Sequence, residues 1–379
     1  MPWYSFINED VEEKSKQYSG YIMNKDLKVA RVDNNSVTEI IDNKMCPIFV
    51  LRTKDFESWV MSRTIDSHRT NSRVLRKMLR LKDPDSLDIA MKAKCRTITD
   101  SFWFKEDNLD ITFKDLKFKE DLLKDVALHG KSTSLELKKN TLTPELTNIG
   151  SYEKAWVLKS NDCWYLRKKA TDLELLSEIF VYRLCKFLKY PCVAYKRVDK
   201  LSVIECKNFV RDEEWFEPAH SYIGMDEDYF KNYDILQKFE IMFKRRTLCR
   251  DYLRMLFIDA LVQNPDRHTF NYGVLIKDGE IVRFAPNFDN NLALVARGLD
   301  SINTFPSRRN PLISDFIDLI RGKSVQKFYI PDLKYKDILL ILEDICLKNN
   351  IDFIEHKTLE RISEYVMNNY NIIKEEIRH

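Results

Sequence analysis

The sequence predicts an α+β fold in which short β-strands come first and helices dominate the remainder of the chain. Apolar runs of strand length, separated by polar turns, concentrate before about residue 210, whereas later segments carry apolar residues at a spacing of three and four. The length of 379 residues and the 44% share of hydrophobic residues suffice for one large or two ordinary domains with a sizeable core.

Composition and charge exclude several classes of protein. The 62 Lys and Arg residues nearly balance the 59 Asp and Glu residues, which leaves a net charge of +3. Such a small charge gives no overall attraction to nucleic acid, so we do not expect direct nucleic-acid binding. The eight cysteines form no CxxC pair and have no nearby set of histidines, so we expect free thiols rather than a zinc site. The chain shows no signal-peptide pattern and no uncharged apolar run of membrane-spanning length. We therefore expect a cytoplasmic protein without membrane association.

Residues 1–146 are expected to form an N-terminal accessory region. Apolar runs bounded by polar turns predict strands at Ser19–Met23, Leu27–Val32 and Cys46–Leu51. Helical spacing over Arg73–Lys82 then predicts a helix. We interpret the arginines of this helix as a solvated basic face, and contact with phosphate or an acidic partner is the alternative. DNA binding through Arg69–Lys82 is a further alternative.

The next region, residues 147–210, contains a turn with one glycine, Gly150, followed by predicted strands at Ala155–Lys159 and Cys163–Lys169. Alternation in the second strand places Lys168 on the same face as two apolar residues, so one lysine would point into the protein. An inward lysine on such a strand is suited to contact the phosphates of ATP. Lys169 is the neighbouring alternative, and a solvated lysine at a strand end is the simpler explanation.

A helix is predicted to begin at Asp172, because apolar residues recur along it at a spacing of three and four. Glu178 lies at the flank of this apolar stripe, where it would pair with the strand lysine or remain an ordinary exposed glutamate. A predicted hairpin formed by Val193–Val198 and Leu201–Glu205 leads to a hinge-like position at Phe209.

Residues 211–379 are predicted to be mainly helical. The helical segments are Tyr233–Phe243, Thr247–Gln263, Pro311–Ile320, Tyr335–Asn349 and Leu359–Ile377. The break in this pattern is Leu256–Asn291, where an apolar run ends in a polar turn and a short hairpin follows.

This central segment carries three candidate active-site residues. Asp266 lies in the polar turn, Asn271 follows five residues later, and Asp289 comes after the predicted hairpin. Folding the hairpin would bring Asn271 and Asp289 together, because they lie at its two open ends. A carboxylate and an amide oxygen that converge in this way suit Mg²⁺. The layout is typical of a kinase site in which an aspartate accepts the hydroxyl proton of the substrate. A structural helix-ending turn is the simpler interpretation of Asn264-Pro265-Asp266 taken alone.

Four motifs resemble those of the HipA-like serine/threonine kinases, a branch of the protein-kinase-like fold found as bacterial toxin kinases and their relatives. Asn264-Pro265-Asp266-Arg267-His268-Thr269-Phe270-Asn271 resembles the N-x-D-[DR]-H-x-x-N catalytic loop, and Asp289 the aspartate of the kinase DFG motif. Gly150-Ser151-Tyr152-Glu153-Lys154 is similar to the nucleotide-loop motif G-x-x-E-K. Ser177–Leu184 resembles the family's N-E-Y-F-x-x-R-L helix. The resemblance covers roughly residues 97–300.

The resemblance implies a bilobed protein-kinase-like fold with an N-lobe at 147–210 and a helical C-lobe at 211–379. It assigns catalysis to Asp266, Lys168, Glu178 and His268, and Mg²⁺ binding to Asn271 and Asp289. ATP would contact Gly150, Ser151, Lys154, Lys168 and Phe209. Thr147 occupies the place of the serine at which family toxins are inhibited by autophosphorylation, which would repel the nucleotide.

We therefore expect a Mg-ATP-dependent kinase that phosphorylates Ser or Thr of a protein, with a possible toxin role and an antitoxin or regulatory partner. An ATP-dependent phosphotransferase acting on a small molecule and a nucleotide-binding pseudokinase are the alternatives. The sequence departs from kinase patterns at two places, so the resemblance does not imply how a substrate would dock. Asn290 replaces the glycine of DFG, and no APE-like segment follows.

Overall fold

The computed structural model describes most of the chain, and the account below is confined to those residues. They are 16–65, 69–78, 86–131, 142–148, 152–198, 202–224, 235–237, 239–240, 244–296, 298, 310–322 and 328–378.

The N-terminal region combines a four-stranded antiparallel sheet with short helices. Its strands are β1 (Gly20–Asn24), β2 (Leu27–Asp33), β3 (Ser36–Ile40) and β4 (Phe102–Glu106), in the order β3-β2-β1-β4. The helices are Ile48–Thr53, Phe56–Met61, Ser72–Met78, Ser86–Lys92 and Lys124–His129. The first two predicted strands are confirmed, and β4 contains part of an aromatic run whose rings are buried.

The predicted strand Cys46–Leu51 is wrong, because the apolar run belongs to the helix Ile48–Thr53. Pro47 stands at the N-cap of this helix with an extended ψ of 133°, and Lys54 ends it in a left-handed conformation. A short apolar run fits either secondary structure by periodicity alone, and here the tertiary packing of Phe49 and Val50 decides.

A second four-stranded sheet holds the predicted nucleotide-binding strands. It consists of β5 (Lys154–Lys159), β6 (Cys163–Lys169), β7 (Tyr195–Arg197) and β8 (Val203–Lys207), in the order β5-β6-β8-β7. The helix Asp172–Phe187 connects β6 to β7. Thr171 begins it with a capping box in which the Thr171 and Glu174 side chains satisfy each other's backbone N–H groups.

The predicted hairpin of the catalytic segment is confirmed as β10 (Gly273–Lys277) and β11 (Glu280–Phe284). A third strand, β9 (Glu214–Pro218), pairs with β10, and the sequence pattern had not predicted it. Gly273 allows the two strands to approach closely, since a Cβ atom there would lie 2.2 Å from the Glu217 carbonyl oxygen.

The remaining helices are Ala219–Ile223, Arg246–Val262, Pro311–Arg321, Tyr335–Asn349 and His356–Arg378. Four of the five helices predicted beyond residue 211 are confirmed to within a few residues. Most of the fifth, Tyr233–Phe243, lies outside the described residues, and 235–237 and 239–240 are helical. One buried apolar cluster joins the first sheet to the Asp172–Phe187 helix and the C-terminal helices through residues such as Phe104, Phe180, Ile258 and Tyr370.

All eight cysteines are free, as predicted. Within the described part of the chain, no helix has both the length and the apolar character needed to cross a membrane.

Candidate active site

The strand β6 presents Lys168 to the interior of the protein, and only 6% of this residue is exposed. The register pairs Lys168 with Lys154 on one side and with Ile204 on the other. The adjacent Lys169 is partly exposed and lies 3.5 Å from the Glu153 carboxylate. Alternation along the strand thus separates the two candidate lysines, and Lys168 is the inward one.

Lys168 lies between two carboxylates. Its Nζ atom is 2.5 Å from Asp289 Oδ1 and 3.5 Å from Glu178 Oε1. Glu178 is fully buried on the Asp172–Phe187 helix, and its Oε2 atom accepts a hydrogen bond of 2.7 Å from the Asn290 N–H. The helix glutamate therefore reaches both the strand lysine and the loop that carries Asp289, although the closer partner of Lys168 is Asp289.

The electrostatics of this cluster favour a charged Asp289. Burial alone would raise the pKa of Asp289, but the ammonium groups of Lys168 and Lys154 lower it to about 2. Burial would lower the pKa of Lys168, and the Asp289 and Glu178 carboxylates raise it instead. Burial raises the pKa of Glu178, with the Lys168 ammonium opposing the rise. The cluster therefore holds an ionised lysine beside an ionised aspartate.

Asp289 also has an unusual backbone conformation, with a φ angle of 61°. Its N–H donates a hydrogen bond of 3.3 Å to the Tyr195 hydroxyl, which lies on β7. Residues other than glycine rarely adopt this left-handed region, and such conformations concentrate at functional sites. In this turn the carboxylate of Asp289 lies beside Lys168.

The candidate catalytic loop holds Asp266 and Asn271 together by local hydrogen bonds. The Asn271 Nδ2 atom donates to the Asp266 carbonyl oxygen at 2.8 Å, and the Asp266 N–H donates to Asn264 Oδ1 at 3.3 Å. Burial raises the pKa of the Asp266 carboxyl, which makes it a better proton acceptor. His268 is exposed, and its Nδ1 atom accepts a hydrogen bond of 3.3 Å from the Phe270 N–H.

Arg267 organises this loop, and the sequence interpretation assigned it no role. Its buried guanidinium pairs with Asp259 on the preceding helix, with two contacts of 2.9 Å. It also donates to the carbonyl oxygens of Asn271 at 2.9 Å and Phe288 at 2.7 Å. Arg267 thus fixes the backbone at one candidate metal ligand and immediately before the other. The position of Arg267 next to the candidate base could have predicted this role, because a guanidinium carries five hydrogen-bond donors that can bind several backbone carbonyls of a loop.

A cavity of about 620 Å³ brings the candidate residues together. The lining includes Lys154, Lys168, Phe209, Asp266, His268, Asn271 and Asp289. Phe209 stacks on Phe288 with ring centroids 5.3 Å apart, which gives the cavity an aromatic wall beside the hinge-like segment. Glu178 lies behind Lys168 and does not line the cavity. Residues of the N-terminal region, among them Arg63, Thr97, Thr99 and Asp100, complete the lining.

The predicted nucleotide loop is described at its two ends. Gly150 and Ser151 lie outside the described residues, whereas Thr147 and Lys154 lie within them. Thr147 is buried, and its hydroxyl donates a short hydrogen bond to the Arg96 carbonyl oxygen. Burial lowers the pKa of Lys154 to about 8. The ammonium group of Lys154, at the start of β5, interacts electrostatically with Asp289.

The donor set fits a magnesium ion that is bound together with phosphates. Asp289 supplies a carboxylate, and hydrogen bonding of the Asn271 amide nitrogen to Asp266 leaves the amide oxygen available. The described residues contain no group of three or more His, Cys, Asp or Glu side chains arranged to hold a metal by themselves. Mg²⁺ usually binds through one or two protein oxygens plus substrate phosphates and water, so two protein ligands are sufficient.

The predicted mixture of helices and sheets is confirmed, and the fold is similar to that of a HipA protein. The structure is similar to HipA of Shewanella oneidensis MR-1, determined with HipB and operator DNA, with a TM-score of 0.51 and 12% sequence identity. That match covers 94% of this chain and 97% of HipA, so it extends well beyond residues 97–300. The Helicobacter pylori proinflammatory kinase CtkA is also similar, with a TM-score of 0.41, 17% identity and coverage of 59% of this chain and 94% of CtkA. No protein-family model matches the sequence, and no curated protein does.

Proposed function

We propose that this protein is a kinase that transfers the γ-phosphoryl group of Mg-ATP to a Ser or Thr hydroxyl of a protein. The observation that carries the proposal is the convergence of Lys168, Asp289, Asp266 and Asn271 on one cavity. A buried ammonium, two carboxylates and an amide oxygen are the groups that a kinase needs for phosphate, metal and hydroxyl. The HipA-like fold supports the same conclusion.

Each residue has a role in this proposal. Lys168 binds the α- and β-phosphates, Glu178 orients Lys168, and the Phe209 wall contacts the adenine. Asn271 and Asp289 would hold Mg²⁺, which supplies neutralisation of the phosphate charge. Asp266 accepts the proton of the acceptor hydroxyl as its oxygen attacks the γ-phosphorus, and ADP is the leaving group. His268 borders the acceptor side of Asp266. Catalysis rests mainly on positioning and charge neutralisation, because phosphoryl transfer requires little covalent work from the protein.

The proposal includes the bilobed division of a kinase. The sheet of β5 to β8 with its helix would form the N-lobe at 147–210, and the catalytic segment and later helices the C-lobe at 211–379. Residues 1–146 would be an accessory region that lines the nucleotide site, which is supported by the presence of Thr97, Thr99 and Asp100 in the cavity wall.

Replacement of the base tests the proposed reaction. We expect Asp266→Asn to lower the rate of ³²P incorporation from γ-labelled ATP by about 10²-fold or more, because a positioned general base contributes about that much. Asp278→Asn is the matched control, since Asp278 is exposed in the turn between β10 and β11. A rate for Asp266→Asn within a few-fold of wild type, with Mg-ATP binding intact, would remove Asp266 from this role.

The proposal extends to autophosphorylation at Thr147. A phosphate there would place about two negative charges at the start of the nucleotide loop and weaken ATP binding by repulsion. The Thr147 hydroxyl must first leave its hydrogen bond with the Arg96 carbonyl oxygen. Intact-mass measurement after incubation with Mg-ATP should show an added phosphate on wild type that Thr147→Ala lacks. An equal gain of mass by both proteins would place the modification elsewhere.

The acceptor and the partner are separate parts of the proposal. Phosphoproteomics of cells that express wild type or Asp266→Asn should reveal one dominant Ser or Thr phosphopeptide specific to wild type. A small polar acceptor is the second candidate, favoured by the polar side chains of Thr97, Thr99 and Asp100 in the cavity, and phosphorylated metabolites would then differ instead.

The similar HipA was determined with HipB and DNA, and an antitoxin-like partner is proposed here by that analogy.

A further inference from the structure

Arg69, in the N-terminal region, reaches the two ends of the nucleotide loop. It is only 1% exposed, although it lies shortly before the predicted helix Arg73–Lys82, whose basic face was expected to be solvated. Its Nη1 atom donates to the Asn148 carbonyl oxygen at 3.3 Å, and its Nη2 atom donates to the Lys154 carbonyl oxygen. One guanidinium therefore holds the chain just before and just after residues 149–153.

Glu145 binds the same segment from a second direction. Its Oε1 atom accepts a hydrogen bond of 2.8 Å from the Trp156 N–H, and its Oε2 atom accepts one of 3.4 Å from Asn148 Nδ2. Glu145 Oε2 also lies 3.7 Å from Arg69 Nη2, and both side chains are almost completely buried. Arg69 and Glu145, which we call the loop clamp, thus bind both ends of the loop and pair with each other.

Arg69 is itself held in place by the N-terminal region. Its carbonyl oxygen accepts a hydrogen bond of 2.9 Å from the Ser72 N–H at the beginning of the Ser72–Met78 helix. Asn71 anchors this turn to the neighbouring Lys124–His129 helix through a hydrogen bond of 3.0 Å to the Ala127 carbonyl oxygen. The position of the clamp is therefore set by elements outside the nucleotide-binding sheet.

Both clamped residues line the cavity. Asn148 and Lys154 belong to its wall, and the Lys154 ammonium interacts electrostatically with Asp289 and Lys168. An ammonium group in this position can contact a polyphosphate alongside Lys168, provided that the backbone which carries it is fixed. The planar guanidinium of Arg69 gives one hydrogen bond to Asn148 and one to Lys154, so it fixes the two backbone segments relative to each other.

We propose that Arg69 is a positioning residue for polyphosphate binding, which acts by holding the backbone of Asn148 and Lys154 at the cavity. The inference rests on the proposed function and deepens it, because it makes the N-terminal region an integral part of the nucleotide site. It also predicts which part of the nucleotide depends on the clamp. The clamp should matter for the phosphates and not for the adenosine moiety, which would lie toward Phe209.

Binding of Mg-ATP and of adenosine to the full-length protein, measured by isothermal titration calorimetry, tests the inference. Arg69→Met combined with Glu145→Gln removes the guanidinium contacts without leaving one buried charge unpaired. The carboxamide introduced by Glu145→Gln keeps an acceptor for the Trp156 N–H. Arg69→Lys is a second variant, which keeps the positive charge beside Glu145 but loses the two-pronged contact. Arg73→Ala is the matched control, because Arg73 is exposed on the adjoining helix.

We expect both clamp variants to bind Mg-ATP at least tenfold more weakly than wild type and adenosine within twofold of wild type, with Arg73→Ala unchanged for both ligands. Equal weakening of ATP and adenosine would show a general structural role and overturn the inference. Unchanged ATP affinity in a folded clamp variant would overturn it as well. Failure of the wild-type protein to bind Mg-ATP would instead refute the proposed function, and the inference with it.

Discussion

The catalytic loop and the nucleotide loop meet at one cavity, and each is held by a buried arginine, but the two arginines come from very different places in the chain. Arg267 belongs to the catalytic loop itself, and its partners lie between 4 and 23 residues away. Arg69 is 79 and 85 residues from the two carbonyl oxygens that it contacts. The catalytic loop is thus organised locally, whereas the nucleotide loop depends on a distant region.

This difference has physical consequences. Local contacts close short loops and cost little chain entropy, so the Arg267 network needs only the Arg246–Val262 helix and the adjacent hairpin. The Arg69 contacts require the Ser72–Met78 and Lys124–His129 helices of the N-terminal region to be folded and docked. We infer that the nucleotide loop is the more separable of the two elements, and that it can change without disruption of the catalytic loop.

The largest expected effect is the loss of Arg267. Arg267→Ala leaves the buried Asp259 carboxylate without its ion pair and removes donors from the carbonyl oxygens of Asn271 and Phe288. Breaking a buried pair by removal of one partner costs about 3–5 kcal/mol. We expect the free energy of unfolding in urea to fall by that amount, and the proposed kinase activity to fall with it.

Arg250→Ala is the control, since Arg250 lies on the same helix with its side chain half exposed. If Arg267→Ala lowered the free energy of unfolding no more than the control does, the catalytic loop would not depend on its local network. The contrast with the nucleotide loop would then disappear.

Sequence separation also explains which features could be predicted. Asp266, Asn271 and Asp289 fall within 24 consecutive residues, so one local pattern was enough to bring them together. Lys168 followed from the alternation of a single strand. The role of Arg69 was not predicted, because its partners Asn148 and Lys154 are brought to it by the docking of a distant region. The strand β9 was missed for the same reason, since its partner β10 begins about 60 residues later.

A second prediction concerns pH and the nucleotide loop. Burial raises the pKa of Glu145 from its usual 4.5 to about 7. The folded state therefore holds this proton more tightly than the unfolded state, and the contribution to stability is fully present below about pH 4.5 and is lost as the pH rises to about 7. This pKa shift corresponds to a loss of about 3 kcal/mol of unfolding free energy when Glu145 ionises in the folded protein.

Glu145→Gln mimics the protonated carboxyl and should remove this dependence. Melting temperatures of wild type and variant, measured at intervals from pH 4.5 to pH 8, should diverge in favour of the variant as the pH rises. Glu39→Gln, at an exposed position on β3, should follow wild type throughout. Parallel profiles for wild type and Glu145→Gln would mean that the Glu145 carboxylate ionises without cost in the folded protein.

The smallest expected effects come from replacing one asparagine with alanine in each loop. Asn264 in the catalytic loop donates to Asp259 at 3.2 Å and to Asn290 at 3.3 Å, and it accepts from the Asp266 N–H at 3.3 Å. Among the described residues, Asn148 in the nucleotide loop has one side-chain hydrogen bond, of 3.4 Å, to Glu145. At about 1 kcal/mol for each hydrogen bond, Asn264→Ala should cost about 2–3 kcal/mol of unfolding free energy and Asn148→Ala about 1 kcal/mol or less. Because both side chains are buried, the difference reports the hydrogen-bond network rather than exposure. Equal losses in urea unfolding would show that the nucleotide loop is tied to the fold as firmly as the catalytic loop.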